Sequence, residues 1–498
     1  MDEKALNEYK YKCKEYLLSL GIDALRAYGR SIGVEKPTTK KKNELIEDII
    51  SVLTGERAPI EQSKRGAPLR NDYVDPEIIA RMENLRVPYL GSGKADATEE
   101  FRKQYQEFIK NNKFVLRFES DNASEIEEFD ERVTKPVYVG QLETLGGVPC
   151  LLPLNCIDNS KHVVVPIGLI HEHDLREGDV VSCYTKKGER TYIVEKILTV
   201  NELALGTFHR GKFEEKEVCC PHKAVDFYKA GSSDSITAKY LQWLLPVYKG
   251  QRGCVLSVPK AGKTGFLFDV ARSAEKSDRD LTVFVLLNGQ SPENVGQFRK
   301  AVESDRLMYT TYDEEPERQV FVAEFLLKRA KRYAESGRNV LLIVDSFNAL
   351  ARAYNDTEES AGGKMLAGGL ESKTLQYLRK YFGAARCFEK GGSLTIVGSV
   401  STTTGNPADE VIAAELCALA NLEVRLSETL ALQRAYPAID LLHSHTQRGD
   451  FFADEPVSRL RGGVCREFLP AHGEIALREY LAKSESFEEF IAKIGVKI

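Results

Sequence analysis

The sequence predicts a multidomain chain: a small N-terminal helical module, a β-barrel of the OB type, and a C-terminal α/β P-loop domain. Three observations predict it. Apolar residues recur at helical spacing between residues 5 and 55. About five short strands, separated by turn residues, crowd into residues 134–203. From residue 253 onward strand and helix alternate, beginning with strand, glycine-containing turn and helix around a Gly-Lys-Thr. The expected divisions are 1–55 helical module, 56–130 linker with a helical and acidic insertion, 131–204 barrel, 205–235 connector and 236–498 nucleotide-binding domain.

In the first division, Tyr16, Leu17, Leu18 and Leu20 share one helix face that ends at Gly21. Residues 22–32 form a second short helix closed by Gly33. A basic turn, residues 36–42, precedes Leu45, Ile46, Ile49, Ile50 and Leu53, again at helical spacing, stopped by Gly55. Lys40, Lys41 and Lys42 have two readings: phosphate contact, or a solvated basic turn. Residues 56–75 carry prolines, charges and few large apolar side chains, as a linker does. Residues 76–130 mix helical stretches with the acidic run 119–128 and carry no specific chemistry.

The barrel region offers Tyr138, Tyr184 and Tyr192, with Lys186, Lys187 and Arg190, as its candidate single-strand contacts. OB barrels stack bases on aromatic side chains, yet Gly146 to Leu151 supplies none where a row of them is wanted. A lone tyrosine on a strand equally serves packing. Residues 236–248 read as an apolar helix containing Trp243 and leading into the P-loop domain. In that domain residues 282–287, 340–345 and 393–399 read as strands, and residues 321–333 and 375–388 as the helices that alternate with them. The tail, 455–498, reads as strand-like and then helical.

The chemistry concentrates at Lys260, Ala261, Gly262, Lys263, Thr264 and Gly265. Backbone N–H groups at a helix start face an anion, Lys263 adds positive charge toward the outer phosphates, and the Thr264 hydroxyl can hold Mg²⁺. Ser257 stands where this pattern usually opens with glycine. About eighty residues downstream, an apolar run closes on Asp345, the position of a carboxylate that orients the metal. ATP and Mg²⁺ are therefore the expected cofactors.

Over 498 residues the formal net charge is −5, so any nucleic-acid site is local rather than a global basic footprint. The ten cysteines are scattered and suggest no disulfide framework. Cys219-Cys220-Pro221-His222, with His209 upstream, invites a metal, but adjacent cysteines lack the Cys-x-x-Cys spacing of zinc sites, which argues against one. No apolar run is long enough to span a bilayer and the opening residues are no signal peptide, so the expected location is the cytoplasm, without a membrane partner.

Beyond this, residues 259–264, Tyr312 to Arg318, Asp345-Ser346, Leu350 to Asn355, Gly363 to Gly369, Phe382 to Arg386, Gly391 to Ile396 and Tyr436 to Asp440 resemble the bacterial transcription terminators of the Rho family. The resemblance covers most of the chain. It implies Rho-N or SAP-like helices, a cold-shock-type OB barrel and a RecA-type ATPase. It also implies a homohexamer that threads single-stranded RNA using ATP and ends transcription at RNA polymerase. By position it makes Lys260, Lys263 and Thr264 phosphate and Mg²⁺ residues, Tyr436 the adenine platform, and Lys364, between Gly363 and Gly368, the RNA contact of a central loop.

Departures from the family pattern fall on the chemistry. Gln290 stands where a carboxylate is expected to activate water, and Gln447 at the expected arginine finger, with Arg448 beside it; Arg434 keeps the other arginine. General-base help is typically about 10²–10⁴-fold and a finger roughly 10³–10⁵. Pro407 replaces a lysine in a second RNA loop, and Cys417 to Ala420 replaces a glycine-containing basic stretch. The expectation is an RNA-dependent ATPase and helicase with weakened hydrolysis. The alternative is an ATP-binding, hydrolysis-poor regulatory subunit that binds RNA or polymerase.

Overall fold

The computed structural model describes residues 10–54 (without 11, 15, 19, 33 and 35–38), 57, 137–155, 162–188, 191–205, 211–230, 235–357, 365–446 and 456–495. The chain forms two compact units, Met1–Asn112 and Lys113–Ile498. The expected linker and acidic insertion, from 58 to 130, lie outside the described residues.

In the first unit, α1 (Ile22–Ser31) and α2 (Lys42–Leu53) pack through Leu25, Leu45, Ile46, Ile49 and Ile50, with Leu17 from the preceding segment. The basic turn is put to structural use. Lys40 pairs with Asp48 and Lys42 Nζ donates to the Leu18 carbonyl at 2.8 Å, while Lys41 stands at the N-cap position of α2 without a side-chain cap.

The second unit opens with a barrel: β1 (Val137–Leu145), β2 (Val148–Leu152), β3 (Val163–Val164), α3 (Ile167–Glu172), β4 (Val180–Lys187), β5 (Tyr192–Val200) and the short β6 (Leu203–Ala204). β1 is one continuous strand, and Gly140 sits in mid-strand without breaking the ladder. The ladder runs β3-β2-β1-β4-β5 and closes through a parallel β3–β5 pair. A closed five-stranded barrel with its helix between β3 and β4 is consistent with an OB-fold. Leu142, Leu151, Val181, Cys183, Val194 and Ile197 fill its interior.

After it come β7 (Val218–Cys219), α4 (Ile236–Trp243), β8 (Arg252–Ser257), α5 (Lys263–Ser277), β9 (Leu281–Gln290), α6 (Pro292–Phe298), β10 (Leu307–Thr311), α7 (Pro316–Glu335), β11 (Asn339–Asp345), α8 (Phe347–Asp356), α9 (Ser372–Phe382), β12 (Arg386–Phe388), β13 (Ser393–Ser401), α10 (Pro407–Leu419), β14 (Leu422–Leu426), α11 (Glu428–Leu432), β15 (Ile439–Thr446), α12 (Pro456–Gly463), α13 (Leu469–Ala482) and α14 (Phe487–Ile494). The central path of the sheet is β10-β9-β11-β13-β8-β14-β15, parallel as far as β14. The central strands β8, β9, β11 and β13 are buried on both faces, hence their largely apolar runs. Along β9, Val283, Val285 and Leu287 face α5 and the C-terminal helices, while Phe284 and Leu286 join the core shared with α7 and α8.

Two expectations are corrected. The stretch 375–388 is not one element: α9 stops at Phe382, Gly383 follows, and β12 runs antiparallel to β13. The described part of the tail is built of helices, apart from a turn at 483–486 and a kink at Gly473, with no strand after β15, because its apolar residues pack into the core that α4 shares. The expected connector is more than a tether. Its β7 pairs antiparallel with β12 and so joins the large sheet.

Barrel and sheet domain share a core. Cys150, Leu152 and Val180 of the barrel pack in the same cluster as Phe325 and Leu326 of α7. At that seam Arg329, 1% exposed, donates to Gln141 Oε1 at 2.7 Å and to the carbonyls of Leu154 and Asp305 at 2.6 Å each. Lys328 bridges Glu143 and Glu177 of the barrel at 2.6 and 2.9 Å. A buried guanidinium is tolerated because its donors are engaged.

Candidate nucleotide site and nucleic-acid interface

The carboxyl ends of β8 and β11 lie near the N-terminus of α5, where open parallel sheets bind ligands. β8 delivers the chain into a turn that α5 then leaves. Gly262 caps α5 with φ +95°, a left-handed geometry that favours glycine. A Cβ there would also meet the Tyr436 ring at 2.9 Å, so Tyr436 lies directly against the turn. Lys260 also has positive φ, +66°, and is exposed; Ala261 is buried and Gly265 exposed.

Lys263 Nζ donates to Ser257 Oγ and to the Val258 carbonyl, each at 3.2 Å. Ser257, out of place as an opening residue in the sequence, thus anchors the ammonium. Burial pulls the Lys263 pKa down, partly offset by Asp345. An ammonium held by neutral oxygens and stripped of water favours an anionic ligand. Thr264 Oγ1 donates to Asp345 Oδ2 at 2.7 Å, and Ser399 Oγ donates to the other carboxylate oxygen. Burial pushes the Asp345 pKa up against the pull of those two hydroxyls and of Lys263. Hydroxyl, carboxylate and ammonium side by side form a donor set suited to a phosphate and a hard divalent cation.

Gln290 ends β9 beside this group. Its Nε2 donates to the Asp345 carbonyl at 3.3 Å, and its Oε1 accepts from Asn294 Nδ2 at 3.0 Å. The amide is therefore oriented at both ends.

A family model described as the ATP synthase alpha/beta family, nucleotide-binding domain, matches residues 237–446. Transcription termination factor Rho of Pseudomonas fluorescens biotype C is 34% identical over 318 residues, covering 63% of this chain and 75% of that protein. Rho of Escherichia coli (strain K12) matches with the same identity and coverage. The chain belongs to the Rho family. Among solved structures, an ATPase of a bacterial type III secretion system aligns with TM-score 0.46 and 21% identity over 61% of this chain and 94% of that one.

In this Rho-family chain the C-terminal domain is accordingly a RecA-type P-loop ATPase domain, and the site just described lies within the matched span. Arg434 is exposed with φ +59°, two residues before Tyr436, which is itself 37% exposed. Gln447 and Arg448 lie outside the described residues, as do Gly363, Lys364 and Arg190. Gly368 is described, and it joins the two loops read as RNA contacts. At φ +74°, a Cβ on it would lie 2.3 Å from the Ala408 backbone nitrogen at the start of α10. The second loop is pinned by Asp409, which accepts from Asn348 at 2.7 Å, Arg352 at 2.9 Å and Thr404 at 2.7 Å.

On the barrel the candidate tyrosines divide. Tyr138 lies opposite Cys183 and packs against the barrel core, a packing role. Tyr184 lies opposite Val137 on the outer face, where Val137 and Val139 are exposed and Lys186 follows two residues on. Tyr192, 52% exposed, sits opposite the exposed Lys187. Ser399, Asn348 and Asp409 were not singled out from the sequence. Polar residues in or beside apolar runs were the available signal, since they are buried there only with partners.

Proposed function

We propose that this chain is an ATP-driven RNA translocase of the Rho type that ends transcription, with hydrolysis slowed by its own substitutions. The observation that carries the reading is Gln290, held beside a phosphate-type site made of Lys263, Thr264 and Asp345. ATP would rest its phosphates on the N-terminus of α5 and on Lys263, with Lys260 at the rim and adenine against Tyr436. Mg²⁺ would lie between Thr264 and Asp345, neutralising charge on the outer phosphates. Gln290 orients a water but accepts no proton, so the general-base contribution of about 10²–10⁴-fold is forfeited.

Single-stranded RNA would meet the outer barrel face at Tyr184, Lys186, Lys187 and Tyr192, and the central loop at Lys364 and Gly368. A homohexamer acting on the RNA polymerase complex completes the reading, with Gln447, Arg448 and Arg434 at the subunit boundary. The N-terminal helices would be a Rho-N or SAP-like module. The same Gln290 geometry favours a second reading, an ATP-holding regulatory subunit that turns over too slowly to translocate.

Phosphate release by the purified full chain, with and without RNA and beside Lys263→Ala, separates them. Slow RNA-stimulated release abolished by the substitution supports the translocase. Tight ATP binding with no RNA-stimulated release supports the regulator, and absence of ATP binding in the presence of Mg²⁺ overturns both.

A further inference from the structure

We propose a thiolate-imidazole site for a soft divalent cation, zinc by chemical class, built from Cys219, His222 and Cys387 on the side of the ATPase domain where the connector joins it. The ligand atoms of these three residues lie within 4.8 Å of one another. Cys219 and Cys387 are directly opposed in the β7–β12 pair, with their sulfurs 3.2 Å apart. His222 Nδ1 is 4.0 Å from the Cys219 sulfur.

A tetrahedral zinc with Zn–S near 2.3 Å and Zn–N near 2.05 Å needs about 3.8 Å between sulfurs and about 3.6 Å between sulfur and nitrogen. The Cys219–Cys387 and Cys219–His222 spacings differ from those values by roughly half an ångström, and the His222–Cys387 pair, within 4.8 Å, closes by up to about 1.2 Å, within reach of a rotation of the exposed imidazole. Cys219 and His222 are three residues apart, a chelate spacing on their own strand and turn. The third ligand comes from a segment far along the sequence, which is why adjacent cysteines looked unpromising there.

The scaffold around the site is already fixed. Phe213 of the connector is fully buried, edge-on to Phe388 at 5.2 Å, with the Arg386 guanidinium 4.8 Å from its ring centroid. The Glu389 N–H donates to the Glu217 carbonyl at 3.1 Å. Two strands held in register by these contacts present both sulfurs without further ordering, which lowers the cost of binding.

His222 Nδ1 lies 3.1 Å from the Cys220 carbonyl, to which it can donate. Binding at Nδ1 replaces that hydrogen bond and leaves the ring proton on Nε2. Two thiol protons are released to solvent, and a water takes the fourth position. His222 and Cys220 are exposed and Cys219 is half-buried, so the cation has a path in. The bound ion would tie the connector that follows the barrel to β12 of the motor domain.

The test uses the full chain, reduced and stripped with a chelator, then titrated with Co²⁺ and, in competition with a chromophoric chelator, with Zn²⁺. Expected is one equivalent per chain, with thiolate-to-cobalt charge transfer and tetrahedral visible bands. Cys387→Ser and His222→Ala should each weaken binding by more than the roughly 10–100-fold that loss of an outer-shell partner costs. Cys417→Ser should leave the titration unchanged, and ATP binding, remote from the site, reports that each variant is folded. Absence of stoichiometric binding, binding that survives Cys387→Ser in folded protein, or a Cys219–Cys387 disulfide found by mass spectrometry in the protein kept reduced would each overturn the site.

Discussion

Gln290 is the residue on which turnover should hinge. Its amide lies between the Asp345 carbonyl and Asn294; a glutamate placed there keeps the bond from Asn294 and loses the donation to the Asp345 carbonyl, so it stays beside the phosphate site on one anchor. Gln290→Glu should raise RNA-stimulated phosphate release by about 10²-fold or more if the missing proton acceptor is the main defect, read by steady-state kinetics at saturating ATP. Asp345 makes the opposite trade. A buried acid whose folded pKa is raised contributes stability below its ordinary value of 3.8, and loses it as pH rises through the raised folded value. At neutral pH its ionised form is therefore a burden on the nucleotide-free protein. Asp345→Asn should raise the melting temperature there while abolishing hydrolysis, measured by calorimetry beside phosphate release.

Glu474 on α13 behaves similarly. One oxygen accepts from the Leu441 N–H at 2.9 Å, the other is buried without a hydrogen-bond partner, and burial pushes its pKa to about 7. Its contribution is complete below 4.5 and fades as pH rises through about 7. At 1.36 kcal/mol per pKa unit, discounted for partial solvent screening, that is roughly 1–2 kcal/mol. Glu474→Gln should flatten this part of the pH–stability profile and raise stability at pH 8.

At the scale of elements, the two loops seated through Gly368 invite a direct trial. Gly368→Ala both strains a left-handed backbone and drives a methyl against Ala408, so the central loop must lift away. RNA stimulation should fall severalfold while ATP affinity holds, measured by titrating RNA into the phosphate-release reaction and by nucleotide binding. Elements such as β9, β11 and α7 were legible in the sequence because a strand buried on both faces writes an unbroken apolar run, and a long helix writes a period. The P-loop was legible because Gly262, Lys263 and Thr264 are contiguous.

What could not be read was anything assembled across the chain. Ser399 reaches Asp345 from another strand, Asp409 gathers Asn348 and Arg352, and Cys387 meets Cys219 only through strand pairing. Tyr138 and Tyr184 looked alike in sequence, and only the register of β1 against β4 sends one inward and the other outward. The strand-like reading of the tail failed because a short apolar run fits either period.

For the molecule as a whole, the seam between barrel and ATPase domain is the distinguishing arrangement. Arg329→Met would leave the Gln141 side chain and the carbonyls of Leu154 and Asp305 without their charged donor. The expected loss is about 3 kcal/mol or more, seen as a lower melting temperature and faster proteolysis within residues 137–205.

The helix that carries Arg329 gives this seam a mechanical meaning. α7 has 20 residues, a rod of about 30 Å. Near its beginning the Gln319 side chain stands 3.5 Å from where a Cβ on Gly289 would be, one residue from Gln290. Further along, Lys328, Arg329 and Tyr333 grip Glu143, Gln141 and Glu202 of the barrel. Were the barrel to hold a nucleic-acid strand as proposed, a tug on it would travel along this stiff rod toward the Gln290 end of the nucleotide site.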